Sequence, residues 1–536
     1  MRSVTMLPAR AALLTRASPI WLAVAVGFGL SVATAALYIR TLAPSVMPGD
    51  YAEFQLCAAV LGVPHPTGYP LYVLLGKLFT MLPVGDVAYR VNLSSAVYMA
   101  GAATMLYAVG IRLAHLMHPM RAHTFALSPR QVAATAAVAA LFAVAPTVWS
   151  MALVARSYAL NALLVGGVLF SLLAWRHTGR PAWFYASCAL IGLSMVHHGT
   201  TYLLLPAYGL YLLIIEVERH RRRSDLHPMR RRALGALSFL AGLSPLLFLV
   251  YRFLFGSPYY WGNPTTWKDF FSLLTGGPFH NQVMGFGTGI DIQLQRVVFG
   301  VGELSAQFTP AGIVAGLLGA VILWRTSRDE AALLTLMLLG NFTFAMNYAL
   351  VGYLYFIPTY LIWALLVLVF VFWVLDRADR APLPQVRGAL IGLTLPVLFV
   401  GALVLAVVRY PGVDQSWQTS TRDEALALLN SVPRGASLYL DWEDLSVVRF
   451  YRMVYGMRPD LTLYTGDPAD WPKWAYCDLQ AGRPVYIGEF AGSMPPIIAR
   501  DFALGPAPSP MVRHVVGVLN SVRYEVPPCG ACATCR

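Results

Sequence analysis

Hydrophobic residues fall in long runs along residues 1–409, separated by short polar connections. A helix that crosses a bilayer needs about 20 mostly apolar residues, and about eleven runs approach that length. They lie at residues 19–39, 91–111, 131–149, 157–175, 182–197, 200–216, 233–255, 300–324, 331–350, 353–375 and 388–409. The pattern predicts a polytopic α-helical membrane domain with about 11 transmembrane helices.

Two runs need separate treatment. The first follows three arginines in the manner of a secretory signal, but its apolar core exceeds the usual length of about 7–15 residues, so we expect an uncleaved first span. The run at residues 69–82 (YPLYVLLGKLFTML) has only about 14 residues, and it contains Lys77. Runs of that length are more often interfacial than spanning, so we predict a helix at the outer membrane surface.

Beyond the last apolar run the pattern changes to short alternating helices and strands. Helical spacing occurs at residues 421–432 and 443–456, and strand-like runs occur at 436–442, 460–466 and 484–490. This alternation predicts a small parallel α/β domain. The chain therefore divides into a membrane domain (residues 1–409) and an extracytoplasmic α/β domain (residues 410–536).

A long connection at residues 256–299 is rich in Gly, Pro and aromatic residues. Long ordered loops are often functional, so this segment could cover a pocket. It could equally be an aromatic anchor at the membrane interface. Both interpretations remain open from the sequence.

Composition supports the membrane assignment, and charge sets the topology. The chain is 57% hydrophobic and 12% charged, with a net charge of +13, whereas soluble domains carry about 25% charged residues. The basic residues are nearly all Arg and concentrate in the connections 112–130, 216–232 and 376–387. Because Arg-rich short loops stay in the cytoplasm, we expect a multi-pass protein of the inner (plasma) membrane. Its N-terminus would be cytoplasmic and its C-terminal domain extracytoplasmic; the basic charge does not indicate a nucleic-acid partner.

A polar segment at residues 47–70 stands directly beside an apolar run. Its Asp50 and Glu53 are three residues apart, which places them on one face of a helix. Ionisable groups beside hydrocarbon are costly and often functional. Asp50 could act as a general base towards a hydroxyl group. Alternatively, the pair could be a capping interaction at a helix start.

His65 and Tyr69 lie in the sequence HPTGYP, in which two prolines and a glycine restrict the backbone. Such a fixed loop suits contacts with a phosphate or a hydroxyl group, although an ordinary surface turn would have the same composition. The predicted active site thus spans residues 40–90 on the outer side.

Further candidates for substrate and donor binding lie at the outer ends of two spans. Arg90 could bind a phosphate bidentately or snorkel to lipid headgroups, and Asn92 lies in the same segment, GDVAYRVNLSS. His197 and His198 close another span. They suit a polar cavity lining better than a metal site, because no third ligand stands at a useful spacing, and we predict no metal.

The six cysteines divide into two groups. Cys57 and Cys188 fall in apolar segments and are expected to be buried. The other four fall in the outer domain, where disulfides are possible: Cys477, Cys529, Cys532 and Cys535. The spacing of the last three resembles metal ligation, but no fourth ligand is nearby, so a disulfide or a disordered tail is the better interpretation.

Several of these segments together closely resemble one membrane family. They are GDYAEF, HPTGYPLYVLLGKLF, GDVAYRVNLSSA, GLSMVHHGT and WGNPTTW. The family is a large bacterial one, formerly of unknown function, related to protein O-mannosyltransferases within the GT-C glycosyltransferase superfamily. Relatives often have Glu in a motif A-E-V-Y where this chain has Arg156, which puts the acceptor or sugar preference in doubt.

The resemblance implies a GT-C fold, an acid in the first outer loop and a polyprenyl-phosphate sugar as co-substrate, with no other cofactor. Asp50 takes the position of the acid, and Arg90 resembles the residue that meets the donor phosphate. The implied activity is an inverting transfer of a sugar, with mannose the first candidate, to a hydroxyl of an exported protein or glycan. A transporter or flippase, or a non-catalytic binder of lipid-linked saccharides, is the alternative. Membrane lipids would surround the protein.

Overall fold

A computed structural model of the chain describes residues 9–117, 128–222, 227–282, 289–348, 352–380, 382–464, 466, 469–489, 493–506 and 508–519. The described chain is mostly helical. Its α-helices are α1 (Ala9–Arg40), α2 (Asp50–Val60), α3 (Pro70–Thr80), α4 (Val87–Met117), α5 (Pro129–Ala143), α6 (Pro146–Ala152), α7 (Ser157–Thr178), α8 (Pro181–His197), α9 (Thr201–Arg221), α10 (Pro228–Gly242), α11 (Leu246–Phe255), α12 (Trp267–Thr275), α13 (Ile290–Thr326), α14 (Arg328–Met346), α15 (Ile357–Asp379), α16 (Pro384–Val413), α17 (Ser420–Ser431), α18 (Trp442–Tyr455), α19 (Trp471–Gln480) and α20 (Pro496–Asp501). Two 3₁₀ helices cover Gly277–Gln282 and Gly352–Phe356.

Among the described residues, seven helices are long and apolar enough to cross a membrane. Two bent pairs, α5 with α6 and α10 with α11, raise that number to nine if each pair is one span. The remaining two predicted spans, 182–197 and 331–350, form α8 and α14, which fall outside this count. Every predicted span is therefore helical, but the predicted number of about 11 is not confirmed.

The bends have identifiable causes. α5 and α6 meet at an angle of 71° before Pro146, and α13 is interrupted at Thr309, before Pro310. Proline cannot donate the helical hydrogen bond, so backbone carbonyls near each break lose their partners. The guanidinium of Arg409 donates hydrogen bonds to carbonyls just before both breaks, at 2.8–3.0 Å. Arg409 thus supplies hydrogen bonds to backbone carbonyls that lipid could not supply.

The short apolar run at residues 69–82 forms α3, which has only 11 residues, and its position at the outer membrane surface stays a prediction. Lys77 near its end donates a hydrogen bond to the carbonyl of Ala59 at 2.5 Å. Leu78 and Met81 are exposed. A helix this short does not span a bilayer, as the sequence predicted.

The C-terminal domain, which we name the outer domain after its predicted position, contains a five-stranded sheet of order β2-β1-β3-β5-β4. Its strands are β1 (Ser437–Tyr439), β2 (Thr462–Tyr464), β3 (Val485–Gly488), β4 (Phe502–Leu504) and β5 (Val512–Val518). The three predicted strands are β1–β3 and pair in parallel, whereas β5 is antiparallel to both β3 and β4. The prediction of a purely parallel sheet was therefore wrong at one edge. At that edge β4 leads into β5 without a crossover helix, because an antiparallel pair of strands does not need one.

The two domains share a hydrophobic core. Val46, Ala52 and Leu56, from the first outer loop and α2, are buried in one cluster with residues of the outer domain such as Leu445 and Phe450 on α18. The last membrane helix, α16, also runs through the predicted boundary and ends at Val413. Because a shared core resists separation, the outer domain is fixed on the segment that carries the candidate site.

Among the cysteines, Cys57 and Cys188 are free, and Cys57 is buried. Cys477 on α19 is disulfide-bonded. The cysteines of the tail, predicted to form a disulfide or to lie in a disordered segment, are outside the described residues.

Candidate active site

The site begins where α2 begins. Gly49 precedes the helix with a φ of 61°, and its N–H donates a hydrogen bond to the carbonyl of Glu443 at 3.0 Å. A side chain at position 49 would collide with the Glu443 carboxylate, and the positive φ also favours glycine. Asp50 is consequently the first residue of the helix, and no side chain caps it. The capping interpretation of Asp50 and Glu53 is therefore wrong.

The Asp50 carboxylate is held from both domains. Nη1 of Arg156, the residue before α7, donates to Oδ2 at 2.8 Å. Nε1 of Trp442, the first residue of α18, donates to Oδ1 at 2.9 Å. The Asp50 side chain nevertheless remains 29% exposed. Each carboxylate oxygen has two lone pairs, so each keeps one for a further partner.

The surroundings of Asp50 favour its ionised form. Burial alone would raise the pKa of this carboxyl group. The charges of His65 and Arg156, with the hydrogen bonds from Trp442 and Arg156, outweigh burial and leave the pKa of Asp50 below its usual range. Asp50 is therefore ionised at neutral pH.

Glu53 lies one turn further along α2 and is 1% exposed. Its Oε1 accepts hydrogen bonds from the backbone N–H of His65 at 3.1 Å and from the hydroxyl of Tyr259 at 2.9 Å. Its Oε2 lies 2.5 Å from Nδ1 of His65. Glu53 therefore fixes the HPTGYP loop rather than facing a substrate.

His65 is drawn towards its charged form. Burial would lower the pKa of the imidazole, but the charges of Asp50 and Glu53 and the hydrogen bond to Glu53 raise it above its usual value. The geometry thus places His65 beside two carboxylates, those of Asp50 and Glu53.

An aromatic layer lies behind these charges. The ring of Phe54 contacts the rings of His65 and Tyr69 edge-to-face, at centroid distances of 5.3 and 5.1 Å. The ring of Tyr69 in turn lies 6.2 and 6.0 Å from those of His197 and His198. The structure thus brings the predicted Tyr69, His197 and His198 together with the site. In each histidine one ring nitrogen has a hydrogen-bond partner and the other is buried without one.

Arg90 and Asn92 belong to the scaffold around the site. The Arg90 guanidinium donates three hydrogen bonds, at 2.7–3.0 Å, to backbone carbonyls near the end of α3. Its contact with a donor phosphate stays a prediction. The Asn92 amide donates to the carbonyls of Ala43 and Ser45, and its oxygen accepts from Gln55 and from the N–H of Ala155. These four bonds use all of its hydrogen-bonding capacity, so Asn92 does not face the site.

Asp50, Glu53 and His65 each offer a ligand atom within 4.8 Å of the other two. A divalent cation would fit such a spacing by distance alone. In the structure all three groups already have hydrogen-bond partners, and Arg156 brings a fixed positive charge to Asp50. The arrangement can therefore balance its negative charge through protein groups.

Arg156, Trp442 and Tyr259 are the site residues for which sequence reasoning assigned no role. Trp442 follows β1 directly, and functional residues gather beyond the carboxyl ends of parallel strands; this position was the available signal. Tyr259 lies in the long outer loop. That loop is attached to the site, because the backbone of Val63 exchanges hydrogen bonds with Tyr259 and Trp261 at 2.8 and 3.0 Å.

Part of the chain matches a known protein family. Residues 50–222 match the family model of the N-terminal domain of protein O-mannosyl-transferase TMEM260. The chain is 31% identical over 244 residues to protein O-mannosyl-transferase TMEM260 from Mus musculus. This match covers 44% of this chain and 32% of that protein. The chain is 23% identical over 312 residues to the protein of the same name from Dictyostelium discoideum, covering 54% and 35%. The chain thus spans about a third of the length of the curated relatives it matches.

Solved structures resemble the chain over most of its length. One is ArnT from Cupriavidus metallidurans bound to undecaprenyl phosphate, with a TM-score of 0.53, 15% identity, and coverage of 92% of this chain and 97% of that one. Another is the oligosaccharyltransferase AglB from Archaeoglobus fulgidus in complex with an inhibitory peptide and a dolichol-phosphate, with a TM-score of 0.50, 11% identity, and coverage of 86% and 69%. The likeness confirms the predicted GT-C fold.

Proposed function

The chain is related to the GT-C family that includes protein O-mannosyltransferases, and from this premise we propose that it transfers a sugar from a polyprenyl phosphate to a hydroxyl group on the outer face of the membrane. Mannose is the first candidate sugar, and a Ser or Thr of an exported protein is the first candidate acceptor. The donor class is supported by the polyprenyl phosphates named with ArnT and AglB.

The observation that carries the proposal is the state of Asp50. Its carboxylate is oriented by Arg156 and Trp442 and is favoured as the ionised form, yet it stays partly accessible. An ionised, positioned and accessible carboxylate is what a general base requires. Glu53, three residues away, lacks the accessibility.

In the reaction, Asp50 takes the proton of the acceptor hydroxyl as the acceptor oxygen attacks the anomeric carbon. A new glycosidic bond forms, and the bond from that carbon to the phosphate oxygen breaks with its electron pair on the oxygen. The products are the glycosylated acceptor and polyprenyl phosphate. Because one displacement occurs, the anomeric configuration inverts.

The test uses purified protein with undecaprenyl-phosphate mannose, undecaprenyl-phosphate glucose and Ser/Thr-containing segments of exported proteins. We expect a sugar covalently attached to a hydroxyl, detected by mass spectrometry, with an anomeric configuration opposite to that of the donor by NMR. Sugar translocation into liposomes with no covalent product would contradict the proposal and indicate a transporter. Donor binding without transfer to any acceptor would indicate a non-catalytic binder.

The outward orientation of the site is part of the proposal. It is supported by the Arg-rich connections, which favour a cytoplasmic position for the opposite side. The loop between α3 and α4 contains exposed Val84. In intact cells, a membrane-impermeant thiol reagent should label Val84→Cys, with the labelled peptide identified by mass spectrometry. Labelling only after the membrane is broken would contradict the orientation.

A further inference from the structure

Arg156 has an unusual environment for an arginine. Its side chain is 12% exposed, and its guanidinium lies 4.5 Å from the centroid of the Tyr51 ring. One nitrogen, Nη1, donates to Asp50, but Nε is buried and has no hydrogen-bond partner. A buried donor without a partner destabilises the folded protein, and more so when it is charged, so it needs a reason.

Three other basic groups near the site are bound by the protein itself. Arg90 donates to three backbone carbonyls, and Lys77 donates to the carbonyl of Ala59. His65 is bound by Glu53. Among these groups, Arg156 combines a permanent charge, direct contact with Asp50 and a buried N–H without a partner.

We infer that Arg156 binds the phosphate of the lipid-linked donor through guanidinium N–H groups that Asp50 does not occupy, among them the unpartnered Nε. This inference rests on the proposed function and names the residue that recognises the donor. A planar guanidinium offers five N–H groups and binds phosphate bidentately. It can therefore keep one nitrogen on Asp50 while others contact phosphate oxygens.

This arrangement couples the two ends of the reaction. The donor is a phosphate diester with one negative charge, and the departing monoester gains a second as its bond to the sugar breaks. Arg156 stabilises that growing charge. The anionic phosphate also offsets the positive charge that Arg156 presents to Asp50, so the pKa of Asp50 rises and the carboxylate accepts the acceptor's proton more readily. Donor binding thus prepares the base.

The experiment must separate phosphate binding from mere positioning of Asp50. Binding is therefore measured in the Asp50→Asn background, where no carboxylate remains to be positioned. The probe is undecaprenyl phosphate added to the purified full chain in detergent, with complex formation followed by native mass spectrometry. Adding Arg156→Gln should weaken binding about 10- to 100-fold. Arg156→Lys, which keeps the charge and loses the fork, should weaken it less.

Arg422→Gln is the matched control. It removes the same charge from the exposed surface of the outer domain, where Arg422 contacts Asp423, and it should leave binding unchanged. Arg90→Gln tests the rival residue and should change binding less than Arg156→Gln does. Two results would overturn this inference and leave the proposed transfer intact. One is that Arg156→Gln and Arg156→Lys bind undecaprenyl phosphate as well as the Asp50→Asn protein does; the other is that Arg90→Gln causes the larger loss of binding. No binding of undecaprenyl phosphate by the unaltered chain overturns both.

Discussion

Asp50 and Glu53 lie one turn apart on α2, and the fold surrounds them differently. Asp50 is 29% exposed and receives one hydrogen bond on each oxygen, from groups that lie far away in the chain. Glu53 is 1% exposed and receives three contacts from the two loops that cover it. Two acids on one helix face thus have different surroundings, and under the proposed function they have separate tasks.

The difference shows what makes a carboxylate reactive. A group that must receive a substrate proton needs ionisation, orientation and an open lone pair. Asp50 has all three. Glu53 is oriented by His65 and Tyr259, but at 1% exposure it is closed to a substrate. Its removal should therefore damage the fold, whereas changes around Asp50 should damage the reaction.

The largest expected effect is a loss of folding stability when Glu53 is removed. Glu53→Ala leaves His65 and the Tyr259 hydroxyl buried without their acceptor, and breaking such a buried pair costs about 3–5 kcal/mol. Thermal unfolding of the purified protein in detergent should show a clearly lower midpoint. Glu424→Ala, on the exposed face of the outer domain, serves as the control and should change stability by less than about 0.5 kcal/mol. Equal midpoints for Glu53→Ala and the unaltered protein would contradict the structural role.

A smaller effect follows from removing one donor to Glu53. Tyr259→Phe deletes the hydroxyl that donates at 2.9 Å and keeps the ring. Hydrogen bonds to charged groups contribute about 1.5–3 kcal/mol, so unfolding should become easier by about that amount. Because Asp50 is untouched, the transfer rate per folded molecule should stay within a factor of about two. A large loss of rate with normal stability would assign Glu53 to the reaction instead.

The matched change at Asp50 should have the smallest effect, and it should appear in the reaction. Trp442→Phe removes the hydrogen bond that favours the ionised carboxylate. Asp50 works as a base only when ionised, so raising its pKa moves the acid limb of the kcat/KM profile to higher pH. At neutral pH, where the carboxylate stays ionised, we expect its lost orientation to lower kcat/KM at most about 10-fold, equivalent to about 1.4 kcal/mol. Trp474→Phe, elsewhere in the outer domain, is the control and should leave the acid limb of the profile unchanged. An acid limb that does not move in Trp442→Phe would contradict the role of Trp442.

The fold was largely predictable because its signals are local. Apolar runs become helices wherever they occur, and the strands β1–β3 alternate with helices as the sequence indicated. The span count was less predictable, because Pro146 and the break between α10 and α11 divide runs that read as single spans. The antiparallel strand β5 depends on pairing with β3, and β4 depends on pairing with β5, which no local pattern specifies.

The site was predictable only in part, for the same reason. Asp50, Glu53, His65 and Tyr69 lie within one short segment, so their proximity could be inferred from the sequence. Trp442 is 392 residues from Asp50, and only the packing of α18 on α2 brings it there. Residue type alone also could not show that the guanidinium of Arg90 donates its hydrogen bonds to backbone carbonyls.

The rate of sugar transfer by purified Asp50→Ala, measured with and without added formate, tests the central claim most directly. We predict a loss of about 10²- to 10⁴-fold. Formate should restore part of that rate, because a small carboxylate can occupy the vacated space beside Arg156 and Trp442 and take the proton. Glu53→Ala should not respond to formate. Transfer by Asp50→Ala at the unaltered rate, without formate, would contradict the account.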